Sequence, residues 1–126
     1  MTNLRRFAIL LLLLAFAAGV YLRHEQAAPS GQLTAVVVED SAHRTPTIGA
    51  VIGAPEVLAV VKAKHIAWHV VDQAATGPDL AEVQFALDAS KNKPLPALVM
   101  RHGTSKAKVI SLPKTAVAAA AVLSAS

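Results

Sequence analysis

Cysteine is absent from all 126 residues. Thiol–disulfide exchange needs a thiolate, so that chemistry is excluded, along with any disulfide framework and any lipid anchor attached through cysteine. Aromatic residues are scarce at 4% of the chain, while 54% of it is apolar. Ala, Val and Leu must therefore supply most of the packing. Each buries little area, and modest stability is expected. Charge of either sign is thin, at 16%. From residue 29 onward nine Lys or Arg stand against seven Asp or Glu, scattered and without aromatic interleaving. Nucleic-acid binding usually takes a clustered basic face, and this pattern argues against it.

What the chain does have is one long apolar run near its start. Phe7 to Leu22 is sixteen residues without a charge, preceded by Arg5 and Arg6. As a helix it would span roughly 24 Å, short of a hydrocarbon core of roughly 30 Å. Residues 1–22 read as a signal anchor stretched by Tyr21 and Arg23 at the interface, or as a cleaved export signal with Ala15-Phe16-Ala17 as the small-x-small site. Either way the Arg pair stays cytoplasmic and the remainder faces the other side of the membrane. Residues 23–31 (RHEQAAPSG) form a polar linker, and 32–126 leave room for one small domain.

Within that domain the pattern alternates strands and helices. Gln32 to Glu39 is apolar and β-branched, as a strand buried on both faces would be. A loop runs through Pro46, Thr47 is placed to cap a helix over 47–54, and Pro55 kinks that helix or opens a second one over 55–64. His65 to Asp72 is the next strand, with Trp68 expected in the core. Pro78 starts a helix that sets Leu80, Val83, Phe85 and Leu87 near one stripe. Strand 96–102, a turn at Gly103-Thr104-Ser105, an edge strand from Lys106 to Leu112 and an alanine-rich helix after Pro113-Lys114-Thr115 complete the order. A right-handed crossover would make the first two strands parallel, and the hairpin would add two antiparallel ones.

Three places in this β-α-β-α-β-β-α order resemble the thioredoxin-like family. Arg44-Thr45-Pro46-Thr47 follows an apolar strand and looks like the family's C-x-P-C turn with only the proline kept. Val70-Val71-Asp72-Gln73 resembles its second strand end. Fifty residues after Pro46, Leu95-Pro96 followed by ALVMRHG is similar to its cis-proline, apolar strand and glycine hairpin. The resemblance covers about residues 32–125 and implies an α/β fold, a minimal thioredoxin-like three-layer sandwich with a mixed four-stranded sheet, preceded by the N-terminal hydrophobic helix. It departs from the family at both cysteine positions, where Arg44 and Thr47 stand, and it lacks the family's first strand and helix. A redox-inactive member is what this implies.

Candidate site residues cluster accordingly. His43, Arg44, Thr45, Pro46 and Thr47 lie beyond a strand end, where ligands bind in open α/β sheets. The helix opening at Thr47 offers backbone N–H groups and Arg44 a bidentate fork for a carboxylate or phosphate, against the plainer expectation that Arg44 pairs with Glu39 or Asp40. The resemblance implies that Leu95, before Pro96, pairs its backbone with an extended peptide. His65 and His69 share a face of the expected strand but stand about 13 Å apart at 3.3 Å per residue, too far to chelate one ion, so no metal site is expected. Ser41, Thr45 and Thr47 lie near His43, yet adjacent loop residues rarely reach nucleophile–base geometry. No cofactor is called for. The reading that emerges is a membrane-tethered or exported, non-catalytic module binding a protein or peptide partner. The alternatives are a structural subunit of a membrane assembly, or a non-redox enzyme or small-ligand binder working through Arg44 and Thr47.

Overall fold

β1, Leu33–Glu39, is the strand around which the rest assembles. Its run of β-branched residues suits a position between two neighbours with cover on both faces. It pairs in parallel with β2 (Ala67–Asp72) and antiparallel with β3 (Ala97–His102), which pairs antiparallel with β4 (Lys108–Ser111). The order across this mixed four-stranded sheet is β2-β1-β3-β4. The computed structural model describes residues 31–126. The signal segment expected over 1–22 and the linker up to residue 30 lie outside the described residues.

Alternation along β1 divides the core in two. Leu33, Ala35 and Val37 point to one face, where they meet Val51, Val57, Leu98, Met100 and Leu123. Val36 and Val38 point to the other and meet Val71, Val83, Ala86, Leu87 and Val99. Three helices cover the first face: α1 (Pro46–Ile52), α2 (Pro55–Ala63) and α4 (Ala116–Ala125). On the second lies α3, Gln84–Ala89. Among the described residues the buried hydrophobic ones are all aliphatic or Met, as the scarcity of aromatics favours, and Trp68 packs half-buried against the first cluster. Arg101 lies over the ring of Phe85 at 3.7 Å, a cation–π contact on the second face.

Local chemistry explains most boundaries and corrects several expectations. α1 starts one residue earlier than expected, with Pro46 at its first position and Thr45 as its cap. The Thr45 hydroxyl accepts the Ile48 N–H at 3.2 Å, so Thr47 is not the cap. Pro55 opens a separate helix, with Glu56 in its first turn facing the positive dipole end. The stretch Pro46–Ala63 has the length and hydropathy of a membrane span, but it breaks at residues 53–54 and sends Val51, Ala54 and Val57 into the first core.

β2 begins at Ala67, not at His65. His65 adopts φ +52°, a left-handed turn conformation that no strand residue takes, and Gln32 Nε2 donates to its carbonyl at 2.9 Å. The helix expected from Pro78 is a single 3-10 turn, Pro78–Leu80, and α3 starts only at Gln84. In the tighter turn residues three apart lie over one another, so Leu80 and Val83 both reach the second core cluster. β4 covers Lys108–Ser111 and not the expected 106–112: its pairing with β3 stops at Met100 and Lys108, and the His102 carbonyl beyond that point is taken by the N–H and hydroxyl of Ser105. Gly31, at φ +99°, tolerates no side chain: a Cβ there would stand 2.8 Å from the Cα of Gly103.

Lys64 ties the helical layer together. From the end of α2 its Nζ donates to the carbonyl oxygens of Leu123 and Ser124 in the last turn of α4, at 3.3 and 2.9 Å, and to that of Ser126 just beyond it, at 2.6 Å. A cation at a helix C-terminus contributes about 0.3–1 kcal/mol. Lys64→Met should lower stability by about that amount and speed amide exchange in the last turn of α4, leaving the β1 amides unchanged. Equal acceleration in both places would show that the lysine acts on the whole fold.

Candidate functional site

The loop that leaves β1 is held by two carboxylates. Asp72, at the end of β2, accepts the Ser41 N–H on Oδ1 at 2.8 Å and the Ala74 N–H on Oδ2 at 2.9 Å. The bond from Ser41, followed by that from Ala74, holds its carboxyl below the ordinary carboxylate range. A depressed carboxylate stabilises the fold above its unfolded pKa, about 3.9. That contribution is lost as pH falls through the lower folded value. Thermal melts between pH 2 and 7 should therefore show Asp72→Asn less stable at neutral pH, with a shallower acid limb. An unchanged acid limb would remove Asp72 from this role.

Glu39, the last residue of β1, is the second carboxylate, and only 2% of it is exposed. Arg44 folds back over it: Nε donates to Oε2 at 3.0 Å and the terminal guanidinium nitrogen donates to Oε1. The bond to Glu39 and then its charge raise the Arg44 guanidinium above its usual value. His43 Nδ1 lies 2.6 Å from Asp40 Oδ2 on an exposed turn. Arg44, expected as a fork for an anion, therefore faces the carboxylate at the end of β1, and the candidate His43 faces that of Asp40.

Immediately beyond Arg44 opens a cleft of about 350 Å³. Its walls come from three segments far apart in sequence: Thr45, Thr47, Ile48 and Val51 from the start of α1; Pro94, Leu95 and Pro96 from the approach to β3; and Ser111 to Lys114 from the end of β4. The register of the sheet brings them together. Ala97 pairs with Ser111, and the Leu112 N–H continues the ladder to the Pro96 carbonyl at 3.0 Å. The Leu95–Pro96 peptide bond is cis. Among the described residues, neither the N–H nor the carbonyl of half-buried Leu95 has a hydrogen-bond partner. That is an open length of backbone on the rim of an apolar hollow.

Of the residues expected to form a site, the structure brings Thr45, Thr47, Leu95 and Pro96 into this cleft and leaves His43, Arg44 and Pro46 out of its lining. The sequence reading missed Ile48, Val51, Pro94 and the whole third wall. The Pro94-Leu95-Pro96 triplet and Leu112-Pro113 were its available signals, since prolines flanking strand ends mark places where ladders stop. The polar groups of the lining are the hydroxyls of Thr45, Thr47 and Ser111 and the Lys114 ammonium; no His, Asp or Glu contributes. The chain matches no known family model, no curated protein and no solved structure.

Proposed function

We propose that this chain is a redox-inactive, thioredoxin-like module that binds a protein or peptide partner in the cleft between the start of α1 and Leu95-Pro96. The observation that carries the reading is the unpaired Leu95 backbone beside a largely apolar hollow. An extended segment adds main-chain hydrogen bonds at such a site and places alternate side chains in the hollow. The strand order β2-β1-β3-β4, with its single parallel pair, supports the fold half of the reading. The engagement of Arg44 by Glu39 weighs against the alternative in which Arg44 clamps an anionic substrate. In this reading residues 1–22 tether the module to a membrane or export it, with the domain on the extracytoplasmic side, and neither metal nor nucleic acid is a partner.

The structural-subunit alternative has its own support. Leu58 and Val117, on the helices α2 and α4, are 44% and 73% exposed, apolar side chains that a neighbouring subunit would cover. Photo-crosslinking in the native membrane separates the two. The reporter belongs at Thr47, which lines the cleft and is exposed, since Thr45 is occupied in capping α1. A control at Lys106 sits beyond the other end of β3. A discrete adduct from Thr47 alone is expected. Adducts from both positions would favour the subunit, and none from Thr47 would remove the groove reading.

A further inference from the structure

A second hollow, of about 470 Å³, opens on the α3 side of the sheet and shares a wall with the first at Leu95. Its lining is polar, with Gln73, Gln84, Ser90 and Asn92 among it, and it includes Lys91 and Lys93. Asn92 takes φ +61°, a left-handed conformation that asparagine tolerates, and this turn after α3 carries the two lysines to the hollow. The charged residues lining the two hollows are Lys91, Lys93 and Lys114, and all are cationic. Among the described residues none of the three has a carboxylate within ion-pair distance. Asp88, the nearest acid in sequence, lines neither hollow and accepts a hydrogen bond from Gln84.

Resting on the groove reading, we infer that the partner segment is acidic: an apolar anchor side chain, for the cleft of Ile48, Val51 and Leu112, flanked on both sides by Asp or Glu. The extended segment crosses Leu95, which borders both hollows. Its acidic residue on one side of the anchor meets Lys114, and on the other side Lys91 and Lys93. Complementary charge of this kind sets specificity and encounter rate more than raw affinity. The preference should therefore weaken with salt.

The test uses the full chain in a mild non-ionic detergent and three fluorescein-labelled nonapeptide pools. All share a central Leu, Ile, Val or Phe, and their flanks are Asp/Glu, Ser/Thr or Lys/Arg. Fluorescence anisotropy at low salt should show the acidic pool binding on the order of tenfold tighter than the neutral one, and the basic pool weakest. Raising the salt to about 0.5 M, where charges are screened within a few ångströms, should bring acidic and neutral pools together. The double reversal Lys91→Glu, Lys93→Glu should invert the order of the pools. Ser111→Tyr, which fills the cleft from an exposed position on β4, should abolish binding of all three.

Equal binding of acidic and neutral pools, or an order untouched by the double reversal, would overturn the inference and leave the groove reading intact. Binding by no pool, or binding indifferent to Ser111→Tyr, would remove the groove reading and the inference with it.

Discussion

Leu123→Ala should cost about 3–4 kcal/mol, within the range for deleting a fully buried leucine. For a domain of this size that is a fall in melting temperature of about 4–8 °C per kcal/mol. Leu123 is wholly buried against the first core cluster, and it holds α4 to the sheet and to α2. The informative comparison is Val117→Ala in the same helix. Val117 is 73% exposed, and its truncation should move stability by less than about 0.5 kcal/mol. Thermal melts of the two variants side by side test the orientation of α4. Comparable losses would mean that Val117 is covered by something other than this domain's own core, as the subunit reading requires.

Arg44→Met should be the most destabilising change in the loop after β1, ranking between Leu123→Ala and Val117→Ala. The reason is the carboxylate left behind. Glu39 is buried at the end of the central strand, and its two oxygens are met by the Arg44 fork. Without Arg44 a buried charge stands uncompensated, which costs far more than the ion pair contributes to stability when intact. The double variant Glu39→Met, Arg44→Met removes both charges and should recover most or all of the loss. If the double variant is as unstable as the single one, the pair acts through loop geometry and not through compensation of charge.

The same pair separates what composition conveys from what it does not. Glu39 and Arg44 are five residues apart, and the plainer expectation, pairing, was available from that spacing. That Glu39 is buried and meets Arg44 with both of its oxygens was not. Nothing in VVVED distinguishes Glu39 from Asp40, yet Glu39 ends the strand buried at the core's edge while Asp40, one residue on, is only half-buried. A period of two decides sidedness only once the buried face is known.

Helix boundaries show a similar division. Two threonines flank Pro46, and either hydroxyl can cap. The cap falls on Thr45 because a proline suits the first helical position, where its missing N–H is no loss. The start of α3 was hidden for a different reason. Its apolar residues fit a continuous helix from Pro78, but packing Leu80 and Val83 against the sheet favours a tight turn first. The alanine-rich α4 is apolar on every side, so its pattern names a helix and no face.

The residues alone establish the absence of thiol chemistry, the double-sided burial of β1, and the element breaks at Pro96 and Gly103; for Pro55 they leave a kink and a new helix both open. Each depends on one residue type or one short run, and local physics suffices. Tertiary structure decided the cleft. Thr45, Leu95 and Leu112 are fifty and seventeen residues apart in turn, and no local pattern states that their loops meet. The sheet order brings them to one end, and the antiparallel register of β3 and β4 sets Leu112 against Pro96. Which backbone is left unpaired is a property of the whole ladder, since it depends on where every neighbouring strand stops.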